Sequence, residues 1–123
     1  MKITKFEENK AWQEARVLTK IVSKITSEKK NDIAKDFGLK DQIQRSVVSI
    51  MANIAEGFDT QSDVEFIKFL NYSRRSCSEL QSYFYIALDN KYISQHDFDN
   101  IYDKIVEIKS LIGDFVCYLK SKT

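Results

Sequence analysis

Residues 49–59 read "SIMANIAEGFD". It runs as an apolar helix, with Ile50, Met51 and Ile54 recurring at helical spacing, and reaches a glycine, Gly57. Read as a helix end, Gly57 is the C′ residue that turns left-handed. Ser49, Asn53 and Glu56 break the apolar pattern. Helical spacing sets Gln42, Ser46, Ser49, Asn53 and Glu56 on one side, beside the stripe Ile43, Val47, Ile50 and Ile54. Ser and Asn are small enough to let another helix approach, and Asn and Glu accept hydrogen bonds from backbone donors or tyrosine hydroxyls. An unpaired buried polar group costs about 1–3 kcal/mol, so such a set would fix register. The favoured reading is a structural corner: Asn53 and Glu56 brace the following "GFDTQSD", with Arg45 or Arg75 as partner to Glu56. The alternative is a recognition surface.

Downstream, Ser62 is followed three residues later by Glu65, a capping-box pattern ahead of an apolar run. That run passes through Phe66, Phe69, Leu70, Ser73, Cys77, Leu80, Phe84 and Ala87 to about Asn90. Upstream, the helix holding the opening stretch begins near Leu39 and ends at Glu56. Before it, "SEKKND" is a polar connection. A first helix spans about Glu7 to Thr26, with Trp12, Ala15, Leu18, Ile21, Val22 and Ile25 on one face. The last helix starts at Ser94, a good N-cap, with Asp97 in its first turn. Phe98, Ile101, Ile105, Ile108, Ile112, Phe115 and Leu119 form its stripe. Gly113 interrupts it at a cost of about 1 kcal/mol, which predicts a closely packed neighbour.

The chain of 123 residues has no proline and three glycines, so long helices with short links are expected. No segment alternates with the period of a strand. The prediction is one all-α domain over residues 1–123, an antiparallel up-down-up-down four-helix bundle.

Chemistry is conspicuously missing. His96 stands alone in the first turn of the last helix, an ordinary place for a solvated side chain. There is no Glu-x-x-His pair for a di-iron site, no HExxH or Cys-x-x-Cys zinc motif and no glycine-rich phosphate loop. A catalytic triad would have to use His96, with nothing local to support it. Cys77 and Cys117 are too few for a disulfide framework, and both fall in apolar patterns that predict buried free thiols. The expectation is a non-enzyme without cofactor, metal or small-molecule substrate. No apolar run is long enough for a membrane span, and "MKITKFEENKAW" lacks the apolar core of a signal peptide, so a cytoplasmic protein is expected.

Two surfaces remain as candidates. The formal net charge is +1, but residues 1–50 hold 11 Lys/Arg against 7 Asp/Glu, while residues 51–123 hold 8 against 11. Arg16, Lys20 and Lys24, spaced by four, make a basic ridge on the first helix. Arg74 and Arg75 lie in the middle of the third, with Lys68 two turns before Arg75. Such ridges can follow phosphates, although each alone also reads as a solvated helix face. The third helix ends in "SYFYIALDNKYI", apolar or aromatic nearly all round. A helix apolar on every side needs more than one partner, which points to self-association through Tyr83, Phe84, Tyr85 and Ile86. The competing reading leaves the tyrosine hydroxyls in water along the bundle surface.

The sequence "FGLKDQIQRSVVSIMANIAEG" resembles the signature of the four-helix bundle proteins encoded in intervening sequences of bacterial 23S rRNA genes. Phe37, Gly38, Leu39, Gln42, Arg45, Ser49, Ile50, Asn53, Ile54, Ala55, Glu56 and Gly57 match. The resemblance extends upstream to "FEENKAWQEA" with Trp12, and downstream to Phe66, Phe69, Leu70, Ser76, Glu79 and Leu80. Ser46 stands where the family usually has Ala, and Met51 where proline is frequent. Arg75 replaces a usual glycine before Ser76, adding a charge where a tight helix contact would lie. The resemblance implies a bacterial four-helix bundle that assembles as a homopentamer and is linked to RNA. A more distant likeness is to accessory proteins of reverse transcriptases in diversity-generating retroelements. No catalytic residues carry over. The resulting expectation is a helical oligomer that binds structured RNA through Arg16, Lys20, Lys24, Lys68, Arg74 and Arg75. The alternative is an adaptor that docks a polymerase or other host protein through an aromatic surface.

Overall fold

A computed structural model describes residues 3–122. Four helices account for most of them: α1 (Lys10–Ser27), α2 (Phe37–Asp59), α3 (Asp63–Asp89) and α4 (Gln95–Ser121). Short 3₁₀ turns, Phe6–Glu8 and Asp32–Lys35, precede α1 and α2, and there is no strand among the described residues. Each helix packs on its neighbours in sequence, and α4 closes the circuit against α1. Short links make consecutive helices antiparallel, so the architecture is the up-down-up-down four-helix bundle.

The helix starts follow local chemistry. Asn9, Asp36, Ser62 and Ser94 each accept a hydrogen bond from a backbone N–H of the first turn, satisfying a donor that has no partner within the helix. Only half of the capping box at Ser62 forms. Its hydroxyl accepts from Glu65 N at 3.3 Å, and the Glu65 carboxylate does not return the bond. Asp36 serves two elements: Oδ1 caps Leu39 N, and Oδ2 accepts from the Tyr92 hydroxyl at 3.0 Å, tying the start of α2 to the α3–α4 turn.

The core is one cluster. Leu18, Ile43, Ile50, Ile54, Leu70, Leu80, Phe84, Ile101, Ile105, Ile108 and Ile112 are all fully buried. Their helical spacing is the reason the stripes were legible. Cys77 lies in this cluster, and burial pushes its thiol up to about 12. Cys117 does not. It sits one step off the stripe Ile112–Val116–Leu119 and is exposed, contrary to the expectation that both thiols are buried. Ile21 is likewise at the rim of its stripe rather than in the core.

The opening stretch shows the largest correction. α2 does not stop at Glu56; it continues through Gly57 to Asp59. No glycine has positive φ, and the left-handed residue of the α2–α3 turn is Gln61, at φ 55°. Gly57 is needed for space. A Cβ there would lie 2.8 Å from both Phe66 Cδ1 and Phe69 Cβ. Gly113 is the reverse case. Nothing lies within 4 Å of where its Cβ would be, so the expected close neighbour does not exist.

α2 and α3 meet along a seam of small residues, where Ser46, Gly57, Ser73 and Ser76 are buried. Small side chains let two helix axes approach at the short end of the usual range. Hydrogen bonds cross the seam: Ser49 Oγ to Ser76 Oγ at 2.8 Å, and Ser73 Oγ donating to the Ile50 carbonyl at 2.7 Å. Asn53 Nδ2 donates to both the carbonyl and the Oγ of Ser49 at 2.9 Å. Asn53 therefore supports Ser49 in the middle of the seam and makes no bond to the GFDTQSD corner it was expected to brace. Glu56 does not brace it either. It is exposed without a hydrogen bond or ion pair, Arg45 pairs with Asp41 instead, and Arg75 lies over the Tyr72 ring. The charge at Arg75 leaves the seam tight because that side chain points away from it. Among the described residues no buried side-chain polar atom lacks a partner.

Candidate nucleic-acid interface

Positions four apart on a helix stack on one face, and α1 carries Arg16, Lys20 and Lys24 there, all exposed. Arg16 lies over the Trp12 ring, 5.9 Å from its centroid, which holds the guanidinium at the surface. Lys20 and Lys24 have no acidic partner. On α3, Lys68 and Arg75 are seven residues apart and share the outer face. Arg75 is 5.7 Å from the Tyr72 ring centroid.

Arg74 is turned about 100° from Arg75 by the helical step, toward α4. There it meets Lys109. Asn71, Arg74, Arg75, Ser78 and Lys109 line a shallow groove of about 290 Å³ between α3 and α4, and no carboxylate lines it. Lys109 donates to Gln81 Oε1 at 3.4 Å, a neutral contact that leaves its charge uncompensated. Lys109 was not legible beforehand. It is a lone lysine on the flank of an apolar stripe, and only the α3–α4 register sets it beside Arg74.

The ion pairs among the described residues lie elsewhere. Lys10 and Lys104 pair with Glu14, Lys30 with Glu28, Lys35 with Asp32, Arg45 with Asp41 and Lys122 with Asp63. None of Arg16, Lys20, Lys24, Lys68, Arg74 or Arg75 is in an ion pair. The six expected cations thus divide into an α1 ridge, an outer α3 face and a groove, without forming one continuous patch.

The aromatic end of α3 is distributed differently from the expectation. Phe84 is fully buried in the bundle core, so it is not an interface residue. Tyr83 is half-buried, and its hydroxyl donates to Gln42 Oε1 at 3.2 Å. Tyr85 and Ile86 are exposed, 47% and 45%. Tyr85 also packs on Phe98 and Tyr102, with ring centroids 5.1 and 5.5 Å away. The run is apolar all round because it serves α2, the core and α4 at once, leaving Tyr85 and Ile86 outward.

No group of three or more His, Cys, Asp or Glu side chains that could hold a metal occurs among the described residues. Among the described residues no helix is long and apolar enough to cross a membrane.

The fold is similar to that of a solved protein of unknown function from the S23 ribosomal protein family of Bacteroides thetaiotaomicron. The TM-score is 0.77 and the identity 26%, over 86% of this chain and 97% of that one. No curated protein matches the sequence. The family model for 23S rRNA-intervening sequence proteins matches residues 7–114, nearly the whole bundle. The chain belongs to the 23S rRNA-intervening sequence protein family.

Proposed function

We propose that this bundle is a non-enzymatic RNA-binding protein that contacts phosphates of structured RNA through its unpaired cations. The observation that carries this reading is the partition of charge. Among the described residues six lysines and arginines pair with carboxylates, whereas Arg16, Lys20, Lys24, Lys68, Arg74 and Arg75 are exposed and free of them. Cations held apart from local acids are available to displace the counterions of a polyanion. Membership of a family named for 23S rRNA agrees with this partner. Self-association is part of the proposal, because repeating the ridges around a ring would offset the small net charge of each subunit. Tyr85 and Ile86 are the surface we assign to it.

The test is fluorescence anisotropy with a structured 23S rRNA fragment at 50–200 mM salt. Affinity should fall steeply, with a log–log slope of about 0.7–0.9 for every phosphate contacted. Lys20→Glu with Lys24→Glu should weaken binding across unrelated RNAs alike. Absence of binding at 50 mM salt overturns the reading.

A further inference from the structure

We infer that the α3–α4 groove is a seat for a single phosphate group, held between Arg74 and Lys109. This rests on the RNA-binding reading in taking an RNA backbone as the source of that phosphate. The groove has three cations from two helices, Arg74, Arg75 and Lys109, with neutral Asn71 and Ser78 completing the wall. Both neutral side chains can donate hydrogen bonds to an oxyanion. No carboxylate lines the groove, so an anion entering it meets no like charge. Its volume, about 290 Å³, admits a phosphate with part of its hydration.

The two cations also act together on a third group. The buried Cys77 thiol is reached by the charges of both Lys109 and Arg74, which favour its thiolate against the larger opposing effect of burial. Lys109 is positioned by Gln81, and Arg74 by the helical step that separates it from Arg75. The groove differs from the α1 ridge in this respect. Arg16, Lys20 and Lys24 make one line of charge on one helix, which follows a backbone without selecting a position. A groove that takes charge from two helices fixes one phosphate and sets the RNA's register on the bundle.

Two measurements on the full chain separate this inference from the RNA reading. In amide NMR spectra, inorganic pyrophosphate at millimolar concentration should shift Asn71, Arg74, Ser78 and Lys109, and not α1. In anisotropy, Arg74→Gln with Lys109→Gln should lower the salt slope by about 0.7–0.9, the share of one neutralised phosphate, while circular dichroism keeps the wild-type melting curve. Arg74→Lys with Lys109→Arg should restore most of the affinity. RNA binding with an unchanged slope in the double Gln variant, and no pyrophosphate shifts, overturns the groove and leaves the RNA reading standing. Pyrophosphate shifts at these residues without RNA binding support the groove and overturn its RNA source.

Discussion

Ser49 Oγ and Ser76 Oγ stand 2.8 Å apart across the α2–α3 seam. The pair explains why the stretch from Ser49 to Gly57 carries serine, asparagine and glycine at intervals of four. Ser49, Asn53 and Gly57 line the side of α2 that meets α3. Ser49 reaches Ser76, Asn53 supports Ser49, and Gly57 makes room for Phe66 and Phe69. The signature is therefore the cost of bringing two helices close together, met by small volume and paired polar atoms.

The same substitution at two helical glycines should have opposite signs. Gly57→Ala gains helix propensity of about 1 kcal/mol but drives a methyl to 2.8 Å from two phenylalanines. Overpacking typically costs 1–3 kcal/mol, and here one contact is a Cβ that cannot rotate aside. The net effect is destabilising. Gly113→Ala meets nothing within 4 Å and sits in helical backbone, so it should stabilise by roughly 0.4–1 kcal/mol. Urea melts of the two variants check the pair, and a stable Gly57→Ala protein would show that the seam can spread freely.

The thiols should separate cleanly. Cys117 is exposed, and Cys77 is buried with its thiol pushed up to about 12. The thiolate is the reactive form, so burial removes both access and ionisation at Cys77. A disulfide reagent at pH 8 should modify one thiol in the folded protein and two in guanidinium. Two fast thiols under native conditions would mean that α3 opens readily.

Much of this fold was legible because its information is local. The stripes at spacings of three and four gave four helices, and Ser62 and Ser94 marked two starts. What failed depended on neighbours. Gly57 matches the pattern of a helix stop, yet it is chosen by Phe66 and Phe69, which arrive from the next helix. The left-handed turn residues are Gln61 and Lys91, which carry no special turn chemistry in sequence. At the candidate site, the α1 ridge was readable because its spacing is helical. The groove was half readable, since Lys109 joins Arg74 only through the register of α3 on α4.

Tyr92→Phe tests how the start of α2 is held. The Tyr92 hydroxyl donates to Asp36 Oδ2, and this bond raises the phenol above its ordinary range. Removing it leaves Asp36 capping Leu39 but frees the α3–α4 turn. The loss should be small, that of one hydrogen bond near the protein surface. Hydrogen exchange should quicken at the first turns of α2 and around Lys91, and a uniform change across the bundle would contradict a local tie.

The α1–α4 contact makes a prediction about pH. Lys104 bonds to Glu14, and that bond holds the Glu14 carboxyl below its usual range and the Lys104 ammonium above its own. A carboxylate depressed by folding contributes stability above its unfolded pKa and loses it as pH falls through the folded one. A raised lysine contributes fully below its unfolded pKa and loses it as pH rises through the folded one. The pair should therefore leave stability flat across neutral pH, with losses below the ordinary glutamate range and above the ordinary lysine range. Both side chains keep some solvent exposure, 16% and 22%, so the contribution stays below about 1 kcal/mol. Because each shift arises mainly from the other partner, Glu14→Gln and Lys104→Met should each flatten both limbs of a stability-against-pH curve. If Glu14→Gln instead destabilises equally at pH 3 and pH 7, its role is packing against α4 rather than charge.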